Sequence, residues 1–280
     1  MFSLYNFKSK IMKKLFLISV VLLTGFTVFA QTLRTAKNEA FKRGEYLRYR
    51  VYYDAILTGQ VNAGEAELEI KKETKVIANR NTYHIVGLGL TKGIFNMFFK
   101  VVDRYETYID EEALVPWVFI RRVNEGGYKI IQDVTFNQFK KTVTTVNGNT
   151  TTTTTLSVNE NMQDIISALY YSRTLDFTDA KIGQSFSIPF ILDDSIYMSK
   201  IIYEGKEVKT FDIGTFNCLK FKPMVATGSV FSDPYPMTLW VTDDKNHIPL
   251  FAESAILVGS VKMELFKYSG LANPLSSKIK

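Results

Sequence analysis

EYLRYRVYYD, Glu45 to Asp54, decides the fold class of this chain. Leu47, Tyr49, Val51 and Tyr53 alternate with Tyr46, Arg48, Arg50 and Tyr52. Period two is the signature of a strand with one apolar and one amphipathic face. The same alternation recurs outward from this segment. Ala66, Leu68 and Ile70 interleave with Glu65, Glu67, Glu69 and Lys71. Ile130, Val134 and Phe136 share a face of Tyr128–Phe136, and Met237, Leu239 and Val241 alternate with Thr238, Trp240 and Thr242. Ile248, Leu250, Ala252, Ile256 and Val258, then Val261, Met263 and Leu265, continue the pattern.

Short turn signals separate these runs. Gly126-Gly127 and Asp243-Asp244-Lys245-Asn246 read as hairpin turns. Asn147-Gly148 suits the positive φ of a tight hairpin turn, and the threonine run Thr150–Thr155 reads as a strand because Thr is a good strand former. Clean alternation joined by short turns predicts an antiparallel sheet.

One segment breaks the period. Met162, Ile165, Ile166, Leu169 and Tyr170 fall at i, i+3, i+4, i+7 and i+8, one stripe of a helix. We expect this helix over about 160–173, with Asn159 as its cap and no capping box. A helix alone in a β protein must bury its stripe. The expected fold is therefore mainly β: one strongly curved antiparallel sheet, an open barrel or half-barrel, with the helix on its concave face.

The domain reading is a cleaved signal peptide, a single β-rich domain over 31–272 and a loose tail over 273–280; residues 31–39 are also expected to be loose. Lys13 and Lys14 start the signal, Leu15–Leu23 form its apolar middle, and Val28-Phe29-Ala30 end it with a small residue at the cleavage position. Met12 reads as the start and residues 1–11 as an upstream extension. The apolar run Leu15–Ala30 falls short of the ~20 residues that span a bilayer, and no later segment qualifies. Gln31, not cysteine, follows the cut, so we expect an exported envelope protein without a lipid anchor.

Residues 1–30 carry four lysines and no acid, so the formal charge drops from +6 to +2 without them. That near-neutral balance removes the nucleic-acid reading. The single cysteine, Cys218, cannot form an internal disulfide and sits in an apolar run, as a buried small hydrophobe would.

"QDIISALYYSR" (Gln163–Arg173), "IGQSFSIP" (Ile182–Pro189), "GTFNCLKFKP" (Gly214–Pro223) and "LWVTDDKNHIPL" (Leu239–Leu250) follow "FKRGEYLRYRVYY" (Phe41–Tyr53) and "VNAGEAELEI" (Val61–Ile70) in order. The chain thereby resembles the exported bacterial family known as domain of unknown function 3108. The resemblance implies a mostly antiparallel β fold in the envelope. It brings no catalytic residues with it.

Catalytic and metal patterns are weak. His84 and His247 are the only histidines, and neither has metal-ligand spacing. Gly87-Leu88-Gly89 lies in a strand pattern without the helix that a dinucleotide loop needs. Asp243 and Asp244 read as turn formers ahead of a calcium site. No metal and no cofactor is expected.

The candidate ligand-binding residues are Phe95, Met97, Phe98 and Phe99, in a Phe-rich loop after Gly93, together with Arg173 and Trp240. Arg173 reads first as a tie between helix and sheet and second as a contact for an anionic head group. The leading expectation is non-catalytic binding of a lipid or other apolar small molecule in the concavity. The second is a scaffold for an envelope protein partner. The third is a hydrolase of cell-wall or sugar substrates using Asp103, Glu106, Asp243 or Asp244.

Overall fold

The computed structural model describes residues 32–55, 59–224, 236–256 and 259–280. The signal-peptide reading over 12–30 lies outside them. The alternating segments form strands in a meander: β1 (Tyr46–Ala55), β2 (Gly59–Ile70), β3 (Lys75–Ile77), β4 (Arg80–Thr91), β5 (Val102–Asp110), β6 (Pro116–Glu125), β7 (Tyr128–Asn137), β8 (Thr142–Asn147) and β9 (Thr152–Ser157). A second run follows: β10 (Ser185–Ser187), β11 (Phe190–Leu192), β12 (Ser195–Tyr197), β13 (Lys200–Phe211), β14 (Gly214–Pro223), β15 (Met237–Thr242), β16 (Pro249–Ala255) and β17 (Ser260–Ser269). Two helices interrupt them, α1 (Phe95–Phe98) and α2 (Ile165–Ser172).

One fifteen-stranded sheet results, in the order β10-β13-β14-β15-β16-β17-β1-β2-β4-β5-β6-β7-β8-β9, with β3 attached to β4. Antiparallel pairing of β1 with β17, Tyr46 opposite Ser269 through Asp54 opposite Ser260, joins the two meanders. The end strands β9 and β10 do not pair with each other, so the sheet stays open.

The sheet nonetheless curls almost round on itself. The hairpin β11–β12 extends the β10–β13 end of the sheet, and its turn residue Asp193 accepts a hydrogen bond from Arg121 Nη1 of β6 at 2.5 Å. In a flat sheet the nine strand spacings from β13 to β6 would span about 43 Å. Asp193 stands only six residues beyond Ser187, a reach of about 20 Å. Strong curvature alone reconciles the two.

α2 lies inside the curl. Ile166, Tyr170 and Tyr171 pack on Phe41, Ile70, Ile85, Ile109 and Leu114. Met162, Ile165 and Ile166 pack on Phe119, Val134, Phe136 and Val143, together with Ile191 of the β11 hairpin. Gly87 of β4 faces the helix: a Cβ there would sit in ordinary van der Waals contact, 3.5 Å from Ile166 Cδ1 and 3.4 Å from Leu68 Cδ2.

The helix begins later than its apolar spacing predicts. Asn161 takes a left-handed φ of 59°, and Gln163 bonds to β11 through Gln163 N to Pro189 O and Ile191 N to Gln163 O. Asp164 is the cap in place of Asn159, and a capping box is present. Its Oδ1 accepts from the Ile166 and Ser167 amides at 2.8 Å, the Ser167 hydroxyl accepts from the Asp164 amide, and Oδ2 takes the Thr107 hydroxyl at 2.6 Å. Burial outweighs these bonds and pushes the carboxyl up to about 6.

Two further expectations change. The Asn147-Gly148 connection is a four-residue loop in which Asn147 Oδ1 accepts from the amides of Asn149 and Thr150. Gly148 is needed for close approach, since a Cβ would stand 2.4 Å from Ile131 Cγ2. The segments expected to be loose are docked. Arg34 donates to the carbonyls of Ala113 and Leu114. At the other end, Asn217 N bonds Ser277 O, Thr215 N bonds Lys280 O, and Ser277 is buried. Backbone pairing with β14 holds residues 277–280 where side-chain patterning gave no hint of it.

Asp164→Ala removes the cap and the Thr107 partner together. We expect a loss of about 2 kcal/mol in urea unfolding, and a smaller loss for Asp164→Asn, which keeps the cap.

Candidate functional site

Three places on this frame are candidates: the interior near α2, the loop carrying α1, and a cleft beside the β15–β16 turn. The interior space beside α2 is small. Between α2, Phe177 and the strands β13–β16, the enclosed space is about 20 Å³, lined by Leu169, Arg173, Phe221, Leu239, Val241 and His247 among others. That is room for about one water, so this space cannot hold a lipid.

Arg173 follows α2 and is almost wholly buried. Its guanidinium is spoken for at every nitrogen. Nε donates to Asn246 O at 3.0 Å, Nη1 to Glu45 Oε1 at 2.6 Å, and Nη2 to Glu45 Oε2 at 2.8 Å and Ala40 O at 3.3 Å. Its ring neighbours are Phe41 and Tyr170, 5.6 and 5.1 Å from the guanidinium carbon. Arg173 therefore ties the helix to the sheet, with four of its five N–H groups directed to protein acceptors.

Trp240 lies on the other face of the sheet. The file Phe221, Leu239, Ala252, Met263 runs across β14–β17, and its Phe221 and Leu239 pack with Phe177 just after α2. The next file, Lys220, Trp240, Phe251, Glu264, must point away from the helix. There Trp240 Nε1 donates to Glu207, and the Lys209 ammonium stands 3.7 Å from the ring centroid. The β13–β14 hairpin folds over this file through Asp212, which pairs with Arg50 at 2.6 Å and bonds Glu264 through its amide.

The Phe-rich loop between β4 and β5 is the one place where sequence candidates stay free. Met97 and Phe98 are 81% and 80% exposed, Ile94 60% and Phe99 51%. Leu90 and Val102, cross-strand partners at the base of the loop, are exposed too. Phe95 instead anchors the loop, its ring 6.1 Å from that of Tyr53. Phe99 lies over the β6–β7 turn: a Cβ on Gly126 would come within 2.5 Å of its ring. Exposed Tyr128 follows that turn. The result is an apolar lip built from two neighbouring hairpin ends, with Lys100 and Lys129 exposed beside it. Arg173 sits at the opposite end of the strands, roughly 20 Å away by strand rise from Ile85 to Thr91.

The cleft has a volume of about 540 Å³. The segment Lys37–Ala40, the loop Thr174–Thr178, Lys206 of β13 and the turn Asp243–His247 wall it. Of its carboxylates, Asp244 is consumed structurally: Oδ1 accepts from Thr242 Oγ1 and the Asn246 amide, and Oδ2 from Ser277 Oγ. Asp243 pairs with Lys206 at 2.8 Å. His84, on another face, donates or accepts at Glu106 Oε2 over 2.7 Å and stacks on Tyr108. Glu106 is held below the usual carboxylate range by Arg104 and His84 against its burial. Among the described residues no cluster of His, Cys, Asp or Glu could hold a metal. Cys218 is fully buried, and burial pushes its thiol up to about 12, which leaves it unreactive.

A curled open sheet wound around one helix defines a barrel-like β protein. The chain resembles a barrel-like protein of domain of unknown function 1849 from Brucella abortus, with 11% identity and a TM-score of 0.53 over 82% of this chain and 99% of that one. Two others are more distant, each covering 85% of this chain and all of the other at a TM-score of 0.29: a candidate lipoprotein of Parabacteroides distasonis at 12% identity, and a protein of Bacteroides fragilis with a YmcC-like fold at 10%. No curated protein matches. Residues 48–265 match the family described as protein of unknown function (DUF3108), and the chain belongs to it.

Removing one partner of the buried pair leaves a buried charge. Arg173→Ala or Glu45→Ala should cost about 3–5 kcal/mol in chemical unfolding, and the double variant Glu45→Leu/Arg173→Met should recover most of that loss.

Proposed function

We propose that this protein is an exported, non-catalytic envelope protein that docks on a membrane surface through the lip Ile94–Phe99. The single observation that carries the reading is the exposure of Met97 and Phe98 at the tip of a loop whose other end is pinned by Phe95 and Phe99. Exposed large apolar side chains gathered at one end of a rigid frame mark an interaction site. The signal-peptide reading places the protein where membranes are its neighbours.

Charge complementarity selects an anionic bilayer. Lys100 and Lys129 flank the lip without a carboxylate partner among the described residues, and Lys92 pairs with Glu65 at 2.6 Å. Burying Ile94, Met97 and Phe98 yields about 1.5–3 kcal/mol each, and each flanking lysine near an anionic surface adds about 1 kcal/mol. Such a sum supports reversible peripheral binding. Among the described residues no helix is long and apolar enough to cross a membrane.

Sedimentation with vesicles tests this. The chain from Gln31 onward should bind phosphatidylglycerol-rich vesicles more tightly than phosphatidylcholine vesicles. Met97→Ser/Phe98→Ser should weaken both by at least ~100-fold. Lys100→Glu/Lys129→Glu should weaken only the anionic case. Equal recovery of wild type and the double-serine variant in the vesicle pellet would sink the proposal.

A further inference from the structure

The geometry points to a second binding site, the cleft beside the β15–β16 turn, built to take a neutral, hydroxyl-rich molecule such as a sugar, with His247 as the residue that reads it. The site lies apart from the lip and owes nothing to it. Its volume of about 540 Å³ falls within the range of small-molecule pockets.

His247 is placed at a cost. Its φ is 43°, in the left-handed region that a non-glycine residue rarely takes. Backbone strain of this kind persists where the surroundings enforce it, and such positions cluster at functional sites. The surroundings here are specific. Nδ1 lies 2.8 Å from the carbonyl oxygen of Arg173, which can only accept, so Nδ1 carries the proton. The ring meets Phe177 edge-on at 5.1 Å. Nε2 is left as a lone-pair acceptor, without a bond among the described residues and without being sealed from solvent. Burial holds the imidazole below its ordinary value. The neutral ring is fixed in one tautomer, with Nε2 placed to accept a hydroxyl proton.

The charges around it select the ligand. The walls present Lys37, Lys206 and Lys245, and each has a carboxylate partner: Glu39 for Lys37, Asp243 for Lys206 at 2.8 Å, and Glu39 for Lys245 at 3.4 Å. Asp176 is held below the usual carboxylate range by the hydroxyl and amide of Thr178, with His247 nearby. An anion would have to compete with Glu39 or Asp243 for these lysines. A hydroxyl does not, because it donates to a carboxylate and accepts from the adjacent ammonium at once. Leu175, Leu219 and Phe177 give the cleft an apolar side that suits the C–H face of a sugar ring.

Solution NMR on the protein from Gln31 onward tests this, with the His247 Cε1–Hε1 correlation as reporter and maltotetraose and chitotetraose as probes. At least one sugar, raised to tens of millimolar, should shift that correlation saturably, while inorganic phosphate and free lysine at equal concentration should not. His247→Asn tolerates the left-handed backbone and should weaken binding about tenfold, followed on the amide of Thr178. Lys206→Met leaves the reporter in place and should weaken binding by a similar factor. A His247 correlation that ignores both sugars, or sugar shifts unchanged in both variants, overturns the proposal.

Discussion

The buried guanidinium of Arg173 is the contact on which the arrangement turns. It reaches four separate pieces of chain: its own helix, Glu45 ahead of β1, Ala40 in the N-terminal segment and Asn246 in the β15–β16 turn. Ala40 and Glu45 lie five residues apart, while the helix and Asn246 come from distant parts of the sequence. An ion pair taken out of water is repaid only when its remaining donors are satisfied, and here every nitrogen has an acceptor. The pair therefore does more than join two charges. It sets where α2 ends, and through the Arg173 carbonyl it sets the tautomer of His247. The interior and the cleft share this one constraint.

The space beside this contact is small, about 20 Å³. Curvature brings β6 within reach of the hairpin that grows from the far end of the sheet, and the curl would be hollow if nothing entered it. α2, Phe177 and Ile191 enter it. Their packing fills this part of the concave face with core side chains. The two rim features differ in kind. The lip is apolar and convex, and it faces outward from two hairpin ends. The cleft is polar and recessed, and its three lysines share the carboxylates of Glu39 and Asp243.

Much of the architecture was legible in the chain. Alternation in Glu45–Asp54 and its repeats yields strands whose positions the structure reproduces, and the stripe Ile165–Tyr170 yields the helix. The glycine pair Gly126-Gly127 reads correctly as a turn, with φ of 57° and 98°. The exposure of Met97 and Phe98 was not legible, because an apolar run that fits neither period reads first as a loop folded over the core. The helix start was misread because Met162 continues the stripe although the next residue, Gln163, is bonded through its backbone to β11. Asp164 with Ser167 three residues later carries the capping-box signal, but a Ser in place of Glu or Gln at the third position hides it. Trp240 could not be placed, because alternation tells which residues share a face and not which face turns inward.

Composition and local pattern by themselves determined the class: a single cysteine, period-two strands, one amphipathic helix and short turns leave an antiparallel sheet around a helix. These are short-range properties of the backbone and of side-chain spacing. Tertiary structure alone decided which candidates are used. It paired Arg173 with Glu45 across 128 residues of sequence, put Trp240 under the β13–β14 hairpin, and gathered Lys37, Asp176, Lys206 and His247 around one cleft. The physical reason is that burial and pairing of charge depend on contacts between distant segments, and the curl of the sheet, which no single strand encodes, chooses those contacts.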